Sequence, residues 1–211
     1  MKRLVLGVLV LCVTGIAQDK GKVENTVVVR KAIGKKAYNY FEAWQSRGRW
    51  IYPDAGYIDF NEGGIYREAF IGAGAILVKS KRVLLIEEGY LDQATGPVSG
   101  GALYFQPWTL LNVSITESES WGWQTVYFPY LPLNDAARIQ QVIERSVLER
   151  NFKHWKIGAG YSGYQFAKDN WDHKPFFTTT LKAGKFGSFE FWLQRVPGNH
   201  AQLQVRYAIT K

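Results

Sequence analysis

The sequence predicts an all-β fold: an antiparallel up-and-down β-barrel of about 8–10 strands in a single domain. Two observations support this prediction. Segments of roughly ten residues alternate between apolar side chains and polar or small ones, which is the period of a β-strand. Clusters of Gly, Pro, Asn and Asp, which favour turns, separate these segments. An even number of strands with short connections would bring the chain ends together, as an up-and-down barrel requires.

Segment 155–166 shows the two faces of such a strand most clearly. One face carries Trp155, Ile157, Ala159 and Tyr161, and the other carries Lys156, Gly158, Gly160 and Ser162. Glycine adds nothing to a solvent-facing strand surface, but inside a narrow barrel small residues leave room for large polar ones. We therefore expect Gly158, Gly160 and Ser162 to face the lumen.

The remaining elements follow from the same alternation and from the turn residues between them. The aromatic segment 38–60 is broken at Ser46-Arg-Gly48 and at Pro53-Asp-Ala-Gly56, and it predicts one or two irregular strands. From Tyr66 the pattern becomes regular. Strands are expected at 66–78, 82–92, 102–116, 121–133, 137–152, 155–166, 176–183, 188–196 and 201–210.

Segment 137–152 fits both kinds of secondary structure. Ile139, Val142 and Ile143 have helical spacing, whereas Ile139, Ile143 and Val147 also share one face of a strand. The neighbouring segments are predicted strands, and a hairpin through Lys153-His154 would join it to segment 155–166. These neighbours favour a strand, with a helix as the alternative.

The N-terminus has the features of a secretory signal. Lys2 and Arg3 precede an apolar run from Leu4 to Val13, and Gly15-Ile-Ala17 matches the small-x-small form of a cleavage site. Residues 1–17 are therefore predicted to be a cleaved signal peptide. The alternative is an uncleaved anchor, for which the run is short.

The positive charge is concentrated near the N-terminus. Of the formal charge of +8, Lys2 and Arg3 supply +2 and residues 18–36 supply +4, which leaves +2 for residues 37–211. We therefore predict a basic N-terminal arm at 18–36 and one barrel domain at 37–211. An exported chain with a nearly balanced body is a poor candidate for nucleic-acid binding. The arm is predicted to be a solvated N-terminus, with contact to membrane lipid or lipopolysaccharide phosphates as the alternative.

Strand length and aromatic placement favour lipid, instead of a protein core, against the apolar face. Many segments reach the roughly 9–11 residues that cross a bilayer at a tilt. Aromatic residues lie near predicted strand ends, where an interfacial girdle would place them: Trp121, Trp123, Trp155, Phe166 and Tyr207. Across residues 65–211 this pattern resembles the small bacterial outer-membrane β-barrel proteins. The chain departs from them at its C-terminus, since such proteins usually end on an aromatic residue and this chain ends in Lys211.

The charged residues within the predicted strands are candidates for a polar network inside the barrel. Carboxylates and guanidinium groups occur there in similar number, and buried charges are tolerated when they are paired. The candidate lumenal residues are Glu87, Glu88, Glu144, Arg145, Glu190 and Arg206. The three histidines lie in predicted turns without metal-type spacing, so no metal site is predicted. No catalytic or cofactor-binding residue is predicted either.

Three functional hypotheses follow from the sequence. The first is an integral outer-membrane barrel, porin-like, with a structural role or a narrow passage for a small polar solute. The second is a soluble periplasmic or secreted barrel that binds an apolar ligand. The third is an envelope hydrolase with paired glutamates, because two carboxyl groups that face each other in a barrel are able to act as a glycosidase pair.

Overall fold

The computed structural model describes residues 21–60, 66–97 and 99–211. The predicted signal peptide at 1–17 lies outside the described residues. Twelve strands make up almost all of the described chain: β1 (Val23–Gly34), β2 (Tyr38–Arg47), β3 (Trp50–Phe60), β4 (Tyr66–Lys79), β5 (Val83–Thr95), β6 (Leu103–Ser114), β7 (Trp121–Pro132), β8 (Gln140–Asn151), β9 (Trp155–Phe166), β10 (Asp172–Lys182), β11 (Ser188–Val196) and β12 (His200–Thr210).

The strands form one closed barrel. Each strand pairs antiparallel with the next along the chain, and β1 pairs antiparallel with β12, for example Val29 with Tyr207. The predicted fold class, an antiparallel up-and-down barrel, is confirmed, although the barrel has twelve strands instead of 8–10. No helix in the described parts of the chain is long and apolar enough to cross a membrane.

The additional strands come from the N-terminal part of the chain. Segment 38–60 supplies β2 and β3, and β1 lies within residues 18–36, the segment predicted to be a basic arm. The barrel therefore begins at Val23 and not at residue 37. The prediction of an arm was based on the total charge of this segment and not on the alternation of its side chains. In β1, Val28 and Ala32 are buried, whereas Val29 and Ile33 are exposed.

Two predictions about individual strands are confirmed. Segment 137–152 contains β8, the strand alternative, and no helix. In β9, Ile157 and Trp155 are exposed, whereas Gly158 and Ser162 are buried. Ser162 lies within hydrogen-bond distance of Gln194 of β11 (Oγ to Oε1, 3.4 Å). Gly158 and Ser162 therefore face the lumen, and so does Gly160, whose added Cβ would lie 2.7 Å from the buried ring of Phe176.

The barrel is apolar outside and polar inside. Large apolar side chains are exposed on the outer face, among them Phe177 (70%), Ile71 (54%) and Leu193 (52%). Inside, charged and amide side chains are almost fully buried, among them Asp92 (0%), Gln202 (2%) and Glu190 (4%). A soluble barrel would show the opposite arrangement.

The two ends of the barrel differ in their chain connections. Because the number of strands is even, β1 begins and β12 ends at the same end, which we call the terminal rim. At the opposite end, the distal rim, longer loops connect β5 to β6 and β7 to β8. Near these loops Ala94, Ala102, Tyr104, Tyr130 and Ala137 form a buried apolar cluster.

A substitution at Gly160 tests how tightly the side chains of the lumen are packed. An added Cβ would lie 2.6 Å from the backbone oxygen of Ser146 and 2.7 Å from Cζ of Phe176. We expect Gly160→Ala to lower the free energy of unfolding by about 1–3 kcal/mol. The measurement is urea unfolding of the refolded barrel in detergent, followed by tryptophan fluorescence.

Gly122→Ala in β7 is the matched control, because its added Cβ would meet no atom closer than 3.6 Å. Equal unfolding midpoints for the two alanine variants would contradict the tight packing at Gly160.

Candidate functional site in the barrel lumen

A β-bulge in β8 places two consecutive charged residues inside the barrel. Ile143 pairs with Gly163 of β9 and Ser146 with Tyr161, so that Glu144 and Arg145 together oppose one residue of β9. In a regular strand adjacent side chains point to opposite faces, but a bulge re-aims one of them. The lumenal positions of β8 accordingly change from even numbers, such as Gln140, to odd numbers, such as Val147 and Glu149.

These two residues anchor the central ion-pair cluster, which consists of Arg30, Glu144, Arg145, Glu190 and Arg206. The guanidinium of Arg30 in β1 donates a hydrogen bond to Glu144. Arg145 donates two hydrogen bonds to the two carboxylate oxygens of Glu190 in β11, at 3.0 and 3.2 Å. Arg206 of β12 lies 3.7 Å from the same carboxylate. The cluster therefore connects opposite walls of the barrel across the lumen.

Aromatic rings support the arginines of the cluster. The Cζ atom of Arg145 lies 4.7 Å from the ring centroid of Trp192. Arg30 lies between two rings, with its Cζ atom 5.3 Å from the centroid of Tyr40 and 5.8 Å from that of Trp192. Cation–π contacts of this kind stabilise guanidinium groups that have lost water. Trp192 itself is buried and packs on Phe176, with ring centroids 4.1 Å apart.

Neutral polar groups add hydrogen bonds to the Arg145–Glu190 pair of the cluster. Arg145 also donates to Gln124 at 3.2 Å, and the hydroxyl of Thr178 donates to Glu190 at 3.1 Å. A buried ion pair offsets its desolvation only when additional hydrogen bonds satisfy both partners. Glu190, with an arginine and a threonine as donors, meets that condition.

The structure brings four of the six predicted lumenal residues together. Glu144, Arg145, Glu190 and Arg206 belong to the central ion-pair cluster. Glu88 is buried on another part of the lumen wall. Glu87 lies on the outer face of β5, where it accepts a hydrogen bond from Thr109 at 2.9 Å. The inclusion of Glu87 among the lumenal residues was wrong because β5 is regular at this point, and neighbours in a regular strand cannot share a face.

Sequence reasoning missed Arg30 and Trp192. Arg30 lies in the segment predicted to be a basic arm. It follows the lumenal residue Val28 by two positions in β1, so both side chains lie on the same face of the strand. That alternation is the signal which identifies it. Trp192 lies two residues after Glu190, so the strand period also places both on the same face of β11.

A second group of charged side chains, which we call the acidic wall, lines strands β2 to β5. Its members are Glu42, Asp54, Glu68, Glu88 and Asp92. Their hydrogen-bond donors are neutral: Tyr90 donates to Asp54 at 3.0 Å, Gln106 to Asp92 at 2.8 Å and Tyr130 to Glu68 at 3.0 Å. Within the described residues, no Lys or Arg nitrogen lies within 4.0 Å of these carboxyl groups.

Glycines in β4 make room for the acidic wall. A Cβ at Gly74 would lie 2.2 Å from Cγ of Glu88, and a Cβ at Gly72 would lie 2.4 Å from the ring of Tyr90. The side chains of Glu88 and Tyr90 therefore lie directly over the backbone of β4. Among the described residues, no group of three or more His, Cys, Asp or Glu side chains is arranged to hold a metal ion.

Arg145 and Glu190 provide a test of the ion-pair cluster. We expect Glu190→Gln or Arg145→Met alone to lower the free energy of unfolding by about 3–5 kcal/mol. Glu190→Gln removes the carboxylate that Arg145 and Arg206 share, and Arg145→Met leaves Glu190 with only the more distant Arg206. The double variant should cost less than the sum of the two single variants. Urea unfolding in detergent measures all three.

The exposed pair formed by Arg82 and Glu117 at the terminal rim is the control, with a nitrogen–oxygen distance of 2.8 Å. Its single variants should change stability by less than about 1 kcal/mol. Additive effects of Arg145→Met and Glu190→Gln would contradict a coupled pair.

The barrel resembles solved porin structures. No family model and no curated protein sequence matches the chain. A structure of the KdgM porin superimposes with a TM-score of 0.64 at 10% identity, covering 87% of this chain and 98% of that chain. A KdgM porin in complex with disordered oligogalacturonate gives 0.62 at 10% identity, with coverage of 88% and 97%. A NanC porin structure gives 0.61 at 7% identity, with coverage of 88% and 99%.

These similarities concern the fold, because the sequence identities are too low to carry more. They extend over nearly the whole length of the KdgM and NanC chains. The prediction of a porin-like β-barrel is confirmed at this level: the chain has the fold of small bacterial outer-membrane porins.

Proposed function

We propose that this chain is an integral β-barrel of the bacterial outer membrane and that its lumen is a narrow, polar passage for small solutes. The observation that carries the proposal is the inverted distribution of polarity: charged side chains fill the inside, and large apolar side chains are exposed outside. Only a lipid environment makes such an outer face favourable over the whole circumference. The porin fold of its structural neighbours supports the same assignment.

The outer surface has the features of a membrane-embedded barrel. Aromatic residues lie at both rims, with Trp155 at the terminal rim and Phe166 at the distal rim, each 40% exposed. At the terminal rim the hydroxyl of Tyr207 donates to the backbone oxygen of Phe186. Rings of this kind sit at the level of lipid headgroups. Contact with membrane lipid or lipopolysaccharide is part of this proposal, as is export by a cleaved signal at residues 1–17.

The alternative hypotheses have less support in the lumen. A soluble barrel for an apolar ligand needs an apolar interior, whereas this one holds the central ion-pair cluster and the acidic wall. A hydrolase with paired glutamates needs a free acid and a free base. Glu144 and Glu190 are each bonded to arginine, and Glu87 lies on the outer face of β5. Glu88 is buried beside Asp54.

The central ion-pair cluster crosses the passage and obstructs it. The bond between Arg30 and Glu144 joins β1 to β8, which lie on opposite sides of the barrel. Water still reaches this level, since the side chains of Glu144 and Arg206 keep 23% and 28% of their surface exposed. A small polar solute is the class that fits a constriction of this kind. The oligogalacturonate named with one KdgM structure supports polar solutes as the class that barrels of this shape admit.

Membrane insertion has a direct test. After urea washing of membranes, the protein should remain in the detergent-soluble fraction and should change its gel mobility on boiling, because a closed barrel resists unfolding by detergent at room temperature. Recovery in the aqueous fraction without detergent would contradict the membrane assignment.

Conductance tests the constriction. In planar lipid bilayers, the double variant Arg30→Ala, Glu144→Ala should conduct more ions per channel than the unchanged protein, because it removes the side chains that cross the lumen. The double variant Arg82→Ala, Glu117→Ala, at the exposed terminal rim, should leave conductance unchanged. Equal conductance in all three proteins would place the constriction elsewhere.

A further inference from the structure

We propose that a surface at the terminal rim, between β7 and β10, binds the phosphate group of an anionic phospholipid. We call this surface the rim lipid site, and it consists of Trp121, Leu148, Arg150, Phe152, Ile157 and Lys182. The inference rests on the proposed membrane location and deepens it, because it names one class of lipid and the side chains that hold it.

Arg150 places a positive charge on the outer face of the barrel, near the end of β8. It is exposed, and it pairs with Ile157 of β9, which is exposed on the same face. Leu148, two positions earlier in β8, is also exposed on this face. Within the described residues, no carboxylate oxygen lies within 4.0 Å of a nitrogen of Arg150. A cation on the lipid-facing surface therefore has no acidic partner among these residues.

Aromatic rings hold the guanidinium of Arg150 at the rim. Its Cζ atom lies 5.3 Å from the ring centroid of Trp121 and 5.6 Å from that of Phe152. The ring of Phe152 is stacked on Trp155, with centroids 4.0 Å apart. Tryptophan rings sit at the level of lipid headgroups, and cation–π contacts orient a guanidinium against them. The positive charge of Arg150 is therefore placed at the depth where lipid phosphates lie.

Lys182 brings a second cation to the same place. Its Nζ atom donates a hydrogen bond to the backbone oxygen of Phe152 at 3.2 Å. Lys182 and Arg150 therefore contact the same aromatic residue from two strands, β10 and β8. Phosphate oxygens accept charge-assisted hydrogen bonds from ammonium and guanidinium groups alike, so one phosphate is able to bind both cations.

The chain around the rim lipid site is basic. Residues 150–156 and 182–188 contain no Asp or Glu. In the turn that leads into β7, Glu117 is bonded to Arg82 at 2.8 Å. Glu119 of the same turn forms no ion pair in the part of the chain that the structure describes. The positive charge of the site is therefore not neutralised by ion pairs with neighbouring carboxylates.

The position of the site in the barrel identifies a phospholipid as its occupant. At the terminal rim β8 and β9 are joined by residues 152–154 alone, whereas at the distal rim β7 and β8 are joined by residues 133–139. In outer-membrane barrels the short turns face the periplasm. The periplasmic leaflet consists of phospholipids, and lipopolysaccharide forms the opposite leaflet. Leu148 and Ile157 offer an apolar surface to the acyl chains beside the bound phosphate.

Lipid binding to the detergent-solubilised barrel tests the inference. Native mass spectrometry with dioleoylphosphatidylglycerol gives the dissociation constant of the first lipid that binds. Arg150→Gln and Lys182→Gln should each weaken this binding about fivefold, because one cation next to anionic lipid contributes about that factor. Dioleoylphosphatidylcholine, whose headgroup has no net charge, should bind more weakly than dioleoylphosphatidylglycerol to the unchanged protein.

Arg82→Gln is the matched control. It removes the same charge from the same rim, but at a residue that is already bonded to Glu117, so lipid binding should stay nearly unchanged. Equal weakening in Arg150→Gln and Arg82→Gln would overturn the rim lipid site, because the total charge of the rim would then decide the binding. Boiling-dependent gel mobility checks that each variant is folded, and Lys182→Gln carries the test if Arg150→Gln does not fold.

Inorganic phosphate separates a lipid from a free anion as the occupant. In excess it should not displace dioleoylphosphatidylglycerol, because it has no acyl chains to contact Leu148 and Ile157. Displacement would overturn the assignment to a lipid. Recovery of the protein in the aqueous fraction of washed membranes would overturn the proposed membrane location and the rim lipid site together. A membrane-embedded barrel that binds both lipids equally would overturn the rim lipid site alone.

Discussion

The pairing of β1 with β12 is the constraint on which the rest of the structure depends. It removes both sheet edges, so that the strand backbones bond to one another around the whole barrel. Once the sheet is closed, each regular strand has one face outside and one inside. The outer face is then available for lipid, and every polar side chain of the inner face has to find its partner across or along the lumen. The ion pairs and carboxyl groups described above are consequences of that closure.

The charged side chains of the lumen have different partners on its two sides. Arg30, Arg145 and Arg206 share two glutamates and are packed on Trp192, so that this side is nearly balanced in charge. On the side of β2 to β5, tyrosine and glutamine donors satisfy carboxyl groups only in part. The side with the ion pairs is suited to hold the barrel together, because its charges are bonded across the lumen.

The β8 bulge shows how a small irregularity in the backbone determines this chemistry. Without it, Glu144 and Arg145 would point to opposite faces, and one of the two would be exposed to lipid. Their adjacent placement inside allows β8 to reach both β1 and β11. In β5 the strand pairing is regular, so Glu87 lies on the outer face and Glu88 lies in the lumen. Two adjacent charged residues therefore both face the lumen in a bulged strand but lie on opposite faces of a regular one.

The sequence alone determined the fold class, the faces of β9 and the strand assignment of β8, because strand periodicity and turn residues are local properties. It also identified four residues of the central ion-pair cluster by their type and position. It did not reveal that β1 belongs to the barrel, since a basic composition describes an arm and a lumenal strand equally well. Only the tertiary structure decided which carboxylates have a cation as partner. That depends on strand register, on the bulge at Glu144 and on contacts between residues more than a hundred positions apart, such as Arg30 and Glu144.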